Sequence, residues 1–288
     1  MERNIFKLLN TFVFKINPLF LEKTKIKQCF KEGFLIYTTV ITHFYNEEYL
    51  LPWWLLHHTK LFDYGILINR GSTDLSVEIC RKFAPHWEIY DSNVREFDTV
   101  LVDEEVMDVE KTVRGWKMTL NSTEFLCCKN KVEFFNTLNN FGKQMYAIRT
   151  ILMIDPSYNY YPDPSYMSPL IYQRYHGNIP QNPHIWGDWR FIHKFESGKY
   201  GPGRHFSAHE YIQCPYNAFI LKFYLSPWTD AMKKRKLQIA PTLSANWSHL
   251  KSRYGNSLEE LESRFIEHTT VAQDLRLIPE YQSLFPFL

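Results

Sequence analysis

Beyond residue 33, short apolar runs alternate with longer stretches in which apolar positions recur at helical spacing. Four of the runs are rich in β-branched and aromatic residues, which predicts buried strands. They lie at residues 34–44, 66–69, 87–90 and 116–120. The stretches between them predict helices that end near Leu61, Phe83 and residue 112. This alternation predicts an α/β fold that begins as a mostly parallel, doubly wound sheet.

The carboxyl-terminal half has a different pattern. After Met145 the chain becomes aromatic and rich in proline, which predicts a loop-rich half with few regular elements. We expect a strand at 218–225 and helices at 227–239 and 257–268, where apolar residues again recur at regular spacing.

Residues 1–33 form an extension ahead of the first predicted strand. The first 32 residues carry seven basic and three acidic side chains, and apolar residues recur at helical spacing between Ile5 and Phe20. Two interpretations stay open. The segment is a basic amphipathic helix that makes peripheral membrane contact, or it is a helix that packs on the domain or on a partner.

Composition narrows the class of protein. The 288 residues include 33 Lys and Arg against 31 Asp and Glu, a net charge of +2, which argues against a nucleic-acid binder. The longest apolar stretch, Tyr49 to Leu56, is far shorter than the roughly 20 residues of a membrane span. The five cysteines include no CxxC spacing, so we expect neither disulfides nor a zinc site, and we expect a cytoplasmic location.

Polar residues follow the predicted strands, where an open α/β sheet binds its ligands. Two of these segments carry a resemblance to a known family. Thr39–Glu48 and Ile66–Asp74 resemble the opening of family 2 glycosyltransferases, in which one strand ends in P-x-Y-N-E and the next in D-D-G-S-T-D. Leu51–Leu55 and Asn121–Phe125 are more similar to the branch related to family 92, whose acidic motif reads D-A-D-E-F. The resemblance covers about residues 36–126 and is weaker around 200–240.

The resemblance implies a GT-A fold, a Rossmann-like α/β fold that binds a nucleotide-sugar, usually a UDP-sugar, with Mn²⁺ or Mg²⁺ on the diphosphate. It implies a domain at 34–288, in which 34–126 bind the nucleotide-sugar and 127–288 bind the acceptor. The residues at the family's donor-binding positions are Phe44, Tyr45, Asn46, Glu47, Asn69, Arg70, Asp74, Asn121 and Thr123.

The acidic motif departs from the family's pattern. Asn121 and Thr123 stand where two metal-binding carboxylates usually stand, which leaves Glu124, with His205 of the Gly203-Arg204-His205 motif, as the metal ligands that the resemblance implies. Lys222 stands where the branch has a histidine. A lysine there supplies a cation for the leaving diphosphate, which favours metal-independent transfer, although a catalytically inactive relative would show the same changes.

The candidate catalytic residues are Glu124, Asp188, His205 and Lys222. Asp188 is a candidate base for the acceptor hydroxyl, with Glu210 as the alternative, and Trp186 and Trp189 flank Asp188 in a loop that we expect to line an acceptor groove. Two functions follow. The chain is a glycosyltransferase acting on a glycan or protein acceptor, or it is an inactive carbohydrate- or nucleotide-binding module.

Overall fold

The protein is represented by a computed structural model, which describes residues 37–179, 189–254 and 257–285. Its strands are β1 (Thr38–Phe44), β2 (Tyr64–Asn69), β3 (Glu88–Asp91), β4 (Trp116–Thr119), β5 (Glu124–Cys128), β6 (Met145–Ile154), β7 (His176–Asn178), β8 (Trp189–His193), β9 (Ile212–Gln213), β10 (Ala218–Leu225) and β11 (Gln273–Asp274). Its α-helices are α1 (Leu51–Leu61), α2 (Ser76–Phe83), α3 (Thr99–Glu110), α4 (Lys131–Asn140), α5 (Leu170–Gln173), α6 (Asp230–Leu237), α7 (Leu258–Thr269) and α8 (Pro279–Gln282).

The first four strands form the parallel half of the sheet. They lie in the order β3-β2-β1-β4, and each is parallel to its neighbour. Each of β1, β2 and β3 is followed by a helix that carries the chain back to the starting edge, as parallel pairing requires. The strand order reverses between β1 and β4, because the chain crosses back over β1 and β2 after β3. Open α/β sheets bind ligands at such a reversal.

Helices cover both faces of this half. Gly65 and Ile66 are successive residues of β2, so they face opposite sides of the sheet. Ile66 packs with Val106 of α3. On the other side, a Cβ at Gly65 would lie 2.1 Å from the ring of Trp87, which is in edge contact with Trp54 of α1. The predicted α/β class and doubly wound beginning are therefore confirmed.

The second half of the sheet is mixed. β6 is antiparallel to β7 and β8 and parallel to β9 and β10. β8 is also antiparallel to β4, which joins the two halves, and β10 is antiparallel to β5. The register of the last pair places Lys222 of β10 directly opposite Glu124 of β5.

The sequence pattern failed at β5, α4 and β6. The ten residues of β6 were expected to begin a loop-rich region, yet eight of them are buried. A strand covered on both sides shows no alternation of apolar and polar residues, and this is why the pattern did not reveal it. The strand predicted at 218–225 is confirmed as β10, and the last two predicted helices as α6 and α7.

Helices α6 and α7 are anchored at the ends of the strands. The guanidinium of Arg235 in α6 donates to both carboxylate oxygens of Glu47, which follows β1, at 2.5 Å each. Trp228, ahead of α6, stacks on Phe265 of α7 with ring centroids 4.2 Å apart. Among the described residues, no helix has the length and apolar character needed to cross a membrane. The extension at 1–33 lies outside the described residues.

Trp54 joins the core to the segment after β4, and its replacement tests this packing. Its ring is fully buried, and Nε1 donates to the carbonyl oxygen of Glu124 at 2.9 Å. We expect Trp54→Ala to lower the free energy of unfolding by about 3–5 kcal/mol, because it leaves a large cavity and an unsatisfied carbonyl. Lys60→Ala, at an exposed position of the same helix, should change it by less than about 0.5 kcal/mol in urea denaturation.

Candidate active site

The candidate site lies where the strand order reverses. The carboxyl ends of β1 and β4 are adjacent there, and the amide of Leu120 donates to the carbonyl oxygen of Ile41 at 3.0 Å. The segments that follow these two strands contain most of the residues that the sequence assigned to the donor. β5 and β10 supply Glu124 and Lys222 to the same place.

Several of the predicted donor-binding residues hold the loops together. Asn46 has a left-handed backbone (φ 49°), and its Oδ1 accepts from the amide of Thr73 at 2.8 Å. Asp74 accepts from the amides of Glu48 and Ser76, both at 3.0 Å. These contacts join the loop after β1 to the loop after β2, so both side chains shape the site from within the loops.

Glu47 and Asn69 are also engaged. Glu47 is buried in its bidentate pair with Arg235. The side chain of Asn69 donates to Asp91 at 2.9 Å and accepts from the amide of Ser72 at 2.9 Å. Both residues therefore position neighbouring segments.

Tyr45 and Arg70 form a stacked pair beside these loops. The guanidinium carbon of Arg70 lies 4.4 Å from the centroid of the half-buried Tyr45 ring, whereas Phe44 is buried in the core. Arg70 is fixed by donating to the carbonyl oxygen of Arg95 and to Oγ1 of Thr242, each at 3.1 Å. A held arginine against an aromatic ring gives a flat surface of the kind on which a nucleobase stacks.

Glu124 is the most tightly held carboxylate of the site. It is fully buried, and Arg190 donates to it through Nε at 2.9 Å and through Nη2 at 2.6 Å. Asn121 donates through its amide at 2.9 Å and its side chain at 3.2 Å, and Lys222 Nζ lies 3.5 Å away. Burial alone would raise the pKa of this carboxyl, but the cations of Arg190 and Lys222 outweigh it and hold the pKa well below its ordinary value.

His205 is a neutral imidazole in this arrangement. Its Nδ1 lies 2.9 Å from Nη1 of Arg190, and because a guanidinium only donates, Nδ1 accepts and the ring proton lies on Nε2. Burial, followed by the charges of Arg190 and Lys222, lowers the pKa of His205 to about 3. The ring can therefore donate a hydrogen bond through Nε2 at neutral pH.

Arg204 completes the group of cations. It adopts a left-handed backbone (φ 58°), forms an ion pair with the buried Asp103, and donates through Nη2 to Oδ1 of Asn121 at 2.6 Å. The amide of Gly203 donates to the same Asp103 at 2.7 Å. The Gly203-Arg204-His205 segment is thus held from α3 and from the segment after β4.

Lys222 reaches the site from β10. Residues directly opposite on antiparallel strands point to the same face, so the pairing of Lys222 with Glu124 is set by the strand register. The Lys222 side chain is 22% exposed, whereas Glu124 has no exposed surface. Burial lowers the pKa of Lys222, and the charge of Glu124 opposes this.

The side chains of this site do not fit a divalent cation as its ligands. Both oxygens of Glu124 accept from cationic or amide groups, Oδ1 of Asn121 accepts from Arg204, and Nδ1 of His205 accepts from Arg190. Thr123 is buried and contributes a neutral hydroxyl. Nowhere in residues 37–179, 189–254 or 257–285 do three or more His, Cys, Asp or Glu side chains form a group suited to a metal ion. Hard divalent cations require anionic oxygens, which cations already occupy here.

Arg190 was missed by sequence reasoning. It is an isolated arginine in the apolar strand β8, within a region that the pattern assigned to loops. A charged residue between aromatic neighbours is the signal that could have revealed it, because an arginine is rarely fully buried unless it is paired.

The residues predicted to act on the acceptor are dispersed or undescribed. Asp188 and Trp186 lie outside the described residues. Trp189 packs against Phe191, and since it precedes Arg190 in β8 it faces the opposite side of the sheet. Glu210 is exposed and pairs with Lys143, ahead of the amino end of β6.

A groove of about 1020 Å³ lies elsewhere, along β3 and α3. Its lining includes six acids: Glu88, Glu96, Asp98, Glu104, Glu105 and Asp108. This charge would repel a diphosphate, so the groove is a poor candidate for the donor.

Comparison with known proteins gives weak structural likenesses. No family model and no curated protein matches the chain. The structure of S. aureus TarS 1–349 aligns with a TM-score of 0.39 and 11% identity, over 80% of this chain and 72% of that chain. The same protein in complex with UDP-GlcNAc aligns with a TM-score of 0.37 and 12% identity, over 81% and 74%.

A second protein is less similar. Glucosyl-3-phosphoglycerate synthase from Mycobacterium tuberculosis, in complex with Mn²⁺ and UDP-glucose, aligns with a TM-score of 0.29 and 14% identity, over 42% of this chain and 49% of that chain. Likeness at this level assigns no donor, acceptor or metal to this chain.

The protonation state of His205 can be measured directly. We expect its ¹⁵N resonances to show the Nε2–H tautomer, without titration, from pH 8 down to about pH 4, because burial and two cations hold its pKa near 3. A His205 titration near pH 6.5 would contradict the contact with Arg190.

The buried ion pair can be tested by a double-mutant cycle. We expect Glu124→Gln to lower the free energy of unfolding by about 3–5 kcal/mol, because Arg190 loses its counter-ion. The loss of unfolding free energy in the double variant Glu124→Gln/Arg190→Met should be about 2 kcal/mol smaller than the sum of the losses in Glu124→Gln and Arg190→Met. Folding lowers the pKa of Glu124, so its ionised form contributes to the free energy of unfolding. This contribution is fully present above the unfolded-state pKa near 4.3 and is lost as pH falls towards the folded-state pKa. Additive effects in urea denaturation would sink this interpretation.

Proposed function

We propose that this protein is a family 2-like glycosyltransferase of the GT-A type, which transfers a sugar from a nucleotide-sugar, most simply a UDP-sugar, to a glycan or protein acceptor. The observation that carries the proposal is the position of Lys222. Its side chain is partly exposed at the point where the strand order reverses, and its ammonium lies 3.5 Å from the buried Glu124 and beside Arg190 and Arg204.

The chemistry of glycosyl transfer requires such a cation. The bond between the anomeric carbon and the phosphate oxygen breaks, and its electron pair leaves with the diphosphate. A fixed ammonium at that oxygen stabilises the charge as it develops. Lys222 would supply this charge, and the Nε2–H group of His205 would donate a hydrogen bond to a phosphate or sugar oxygen.

Glu124 and Arg190 would act through their neighbours. Glu124 holds Lys222 and Arg190, and Arg190 in turn orients His205. In this proposal Glu124 is a positioning residue, and its predicted direct role in catalysis or metal binding gives way to that one.

The nucleoside and acceptor sides complete the proposal. The stacked Tyr45 and Arg70 would hold the base, so that 34–126 bind the donor. Residues 127–288 would bind the acceptor, whose new bond to the anomeric carbon releases a proton to a base. Asp188 stays the candidate for that base, with Trp186 and Trp189 beside the acceptor. Peripheral membrane contact through 1–33 also stays a proposal.

An inactive binding module is the second candidate. The observation that favours it is the complete engagement of Glu124, which leaves no free carboxylate at the position of the family's acidic motif. A module of this kind would bind a nucleotide or a carbohydrate and release no product.

Donor binding is the first test. In calorimetric titration with UDP in the presence of EDTA, we expect the wild type to bind and Lys222→Met to bind about 10–100-fold more weakly, because a hydrogen bond to a charged group is lost. Lys111→Met, at an exposed surface position, is the matched control and should leave the affinity unchanged. Binding that needs Mn²⁺ and tolerates Lys222→Met would contradict the proposal.

Release of UDP from a panel of UDP-sugars separates the two candidates. A transferase hydrolyses its donor slowly without acceptor, and Lys222→Met should abolish that release. A binding module takes up UDP and releases none from any sugar of the panel.

A further inference from the structure

Lys236 is a buried cation whose charge is not matched by an acid. It lies in α6 and is 5% exposed, and its Nζ lies 3.3 Å from the centroid of the Tyr224 ring. In the part of the chain that the structure describes, no carboxylate or carbonyl oxygen accepts from this ammonium. Buried lysines are normally paired, because removing an ammonium from water is costly.

The neighbouring cations of α6 differ in this respect. Arg235 is paired with Glu47, and Lys233 lies 3.3 Å from Glu262. Lys234 is exposed to solvent. Positive charges in a run are usually exposed to solvent or paired with acids. This explains three of the four cations of α6 but not Lys236.

Tyr224 links Lys236 to Lys222. The two residues are two positions apart in β10, at a point where the pairing of β10 with β6 shifts register between Phe223 and Leu225. Both are only half-buried, whereas Phe223 and Leu225 are fully buried. The hydroxyl of Tyr224 accepts from Arg264 of α7 at 2.7 Å, which fixes the ring under the Lys236 ammonium. Tyr224 thus holds Lys236 beside the stretch of β10 that carries Lys222, and the two cations interact electrostatically.

Helix α6 places Lys236 at the reversal of the strand order. Glu47 binds Arg235, and Gln238 donates to the carbonyl oxygen of Asn46 at 2.7 Å. Both contacts are made to the segment directly after β1. Lys236 is therefore held on a helix that is fixed to the end of β1.

We propose that Lys222 and Lys236 form an anion site that holds the diphosphate of a nucleotide without a divalent cation. The site rests on the proposed function, since it names the groups that bind the leaving part of the donor. A diphosphate carries two adjacent anionic groups, and two ammonium groups beside the same stretch of β10 match that arrangement. It also gives Lys236 a counter-charge that none of the described residues provides by direct contact.

The surroundings of Lys236 predict how binding depends on protons. Tyr224 and Lys222 face it from β10, Arg235 from α6, Arg264 from α7, and Glu47, already paired, from the end of β1. Burial, then the charges of Arg235, Lys222 and Arg264, lowers the pKa of Lys236 far below its ordinary value. An anion favours the charged form and raises that pKa again, so binding takes up protons at a pH between the two values.

The test compares Lys236→Met with Lys234→Met. Both are in α6 and receive the same substitution, but Lys234 is exposed. The wild type and both variants are titrated with UDP and, separately, with inorganic pyrophosphate, in EDTA at pH 7. Each titration is repeated in two buffers of different ionisation enthalpy, which gives the number of protons taken up.

We expect Lys236→Met to weaken both ligands at least tenfold and to reduce the proton uptake, while Lys234→Met behaves as the wild type. The unfolding temperature of Lys236→Met should be no lower than that of the wild type, because a buried amine is replaced by an apolar side chain. If Lys236 were merely structural, Lys236→Met would instead lower the unfolding temperature, and the folded variant would bind UDP and pyrophosphate with the affinity of the wild type.

The outcomes separate this site from the proposed function. If UDP binds the wild type and Lys236→Met equally, the anion site is wrong and the proposed function stands. If pyrophosphate binds in a Lys236-dependent way and UDP binds no better than pyrophosphate, the anion site stands and the nucleotide donor is wrong. If neither ligand binds in EDTA, the anion site is wrong.

Discussion

The ion pair between Glu124 and Arg190 is the interaction on which the candidate site depends. Both side chains are almost completely buried, so neither charge is stabilised by water. A buried carboxylate is retained only when opposite charges and hydrogen-bond donors surround it. Here the donors come from β8, from the segment after β4, and from β10, so satisfying one carboxylate fixes the relative positions of three parts of the sheet.

The same pair determines the sign of the charge that the site presents. Glu124 is paired with Arg190, and Asp103 is paired with Arg204. The partly exposed side chain of Lys222 and the Nε2–H group of His205 remain as hydrogen-bond donors. A site that offers donors binds anions. The neutral side chains of Asn121 and Thr123 are therefore coherent with the rest of the site, because carboxylates there would compete with the ligand for these donors.

The sequence predicts the parallel half of the fold well, and physical reasons explain where it fails. β1, β2 and β4 are short apolar runs bounded by turn residues, and such a boundary can be recognised in the sequence. β6 has no such boundary, because a strand buried on both sides has an apolar sequence that a helix or a buried loop could share. The sequence pattern predicts a strand or helix from the contrast between its buried apolar face and its exposed polar face. Where both faces are buried, this contrast is absent and the element is not recognised.

For the candidate site, too, one part was predictable from the sequence and another part was not. Tyr45, Asn46, Glu124 and Lys222 were predicted as site residues because they follow strands or match a motif. Their contacts were not predictable, since the partners of Glu124 lie 66 and 98 residues further along the chain. Arg190 has no local signal beyond being charged within an apolar strand. Long-range pairing depends on sheet register, which is decided by the whole fold.

Lys236 illustrates what such a site costs the folded protein. Natural sequences are locally consistent almost everywhere, and departures from consistency concentrate where a ligand completes the structure. Lys236 is held over an aromatic ring among three other cations, and Glu47, the acid that faces it, is already paired with Arg235; this is a departure of this kind. If its only purpose were packing, a methionine would fill the same space without the cost of burying charge. The lysine lies on a helix that is fixed to the end of β1, where the strand order reverses, and that placement is explained more simply by the binding of an anion than by the stability of the fold.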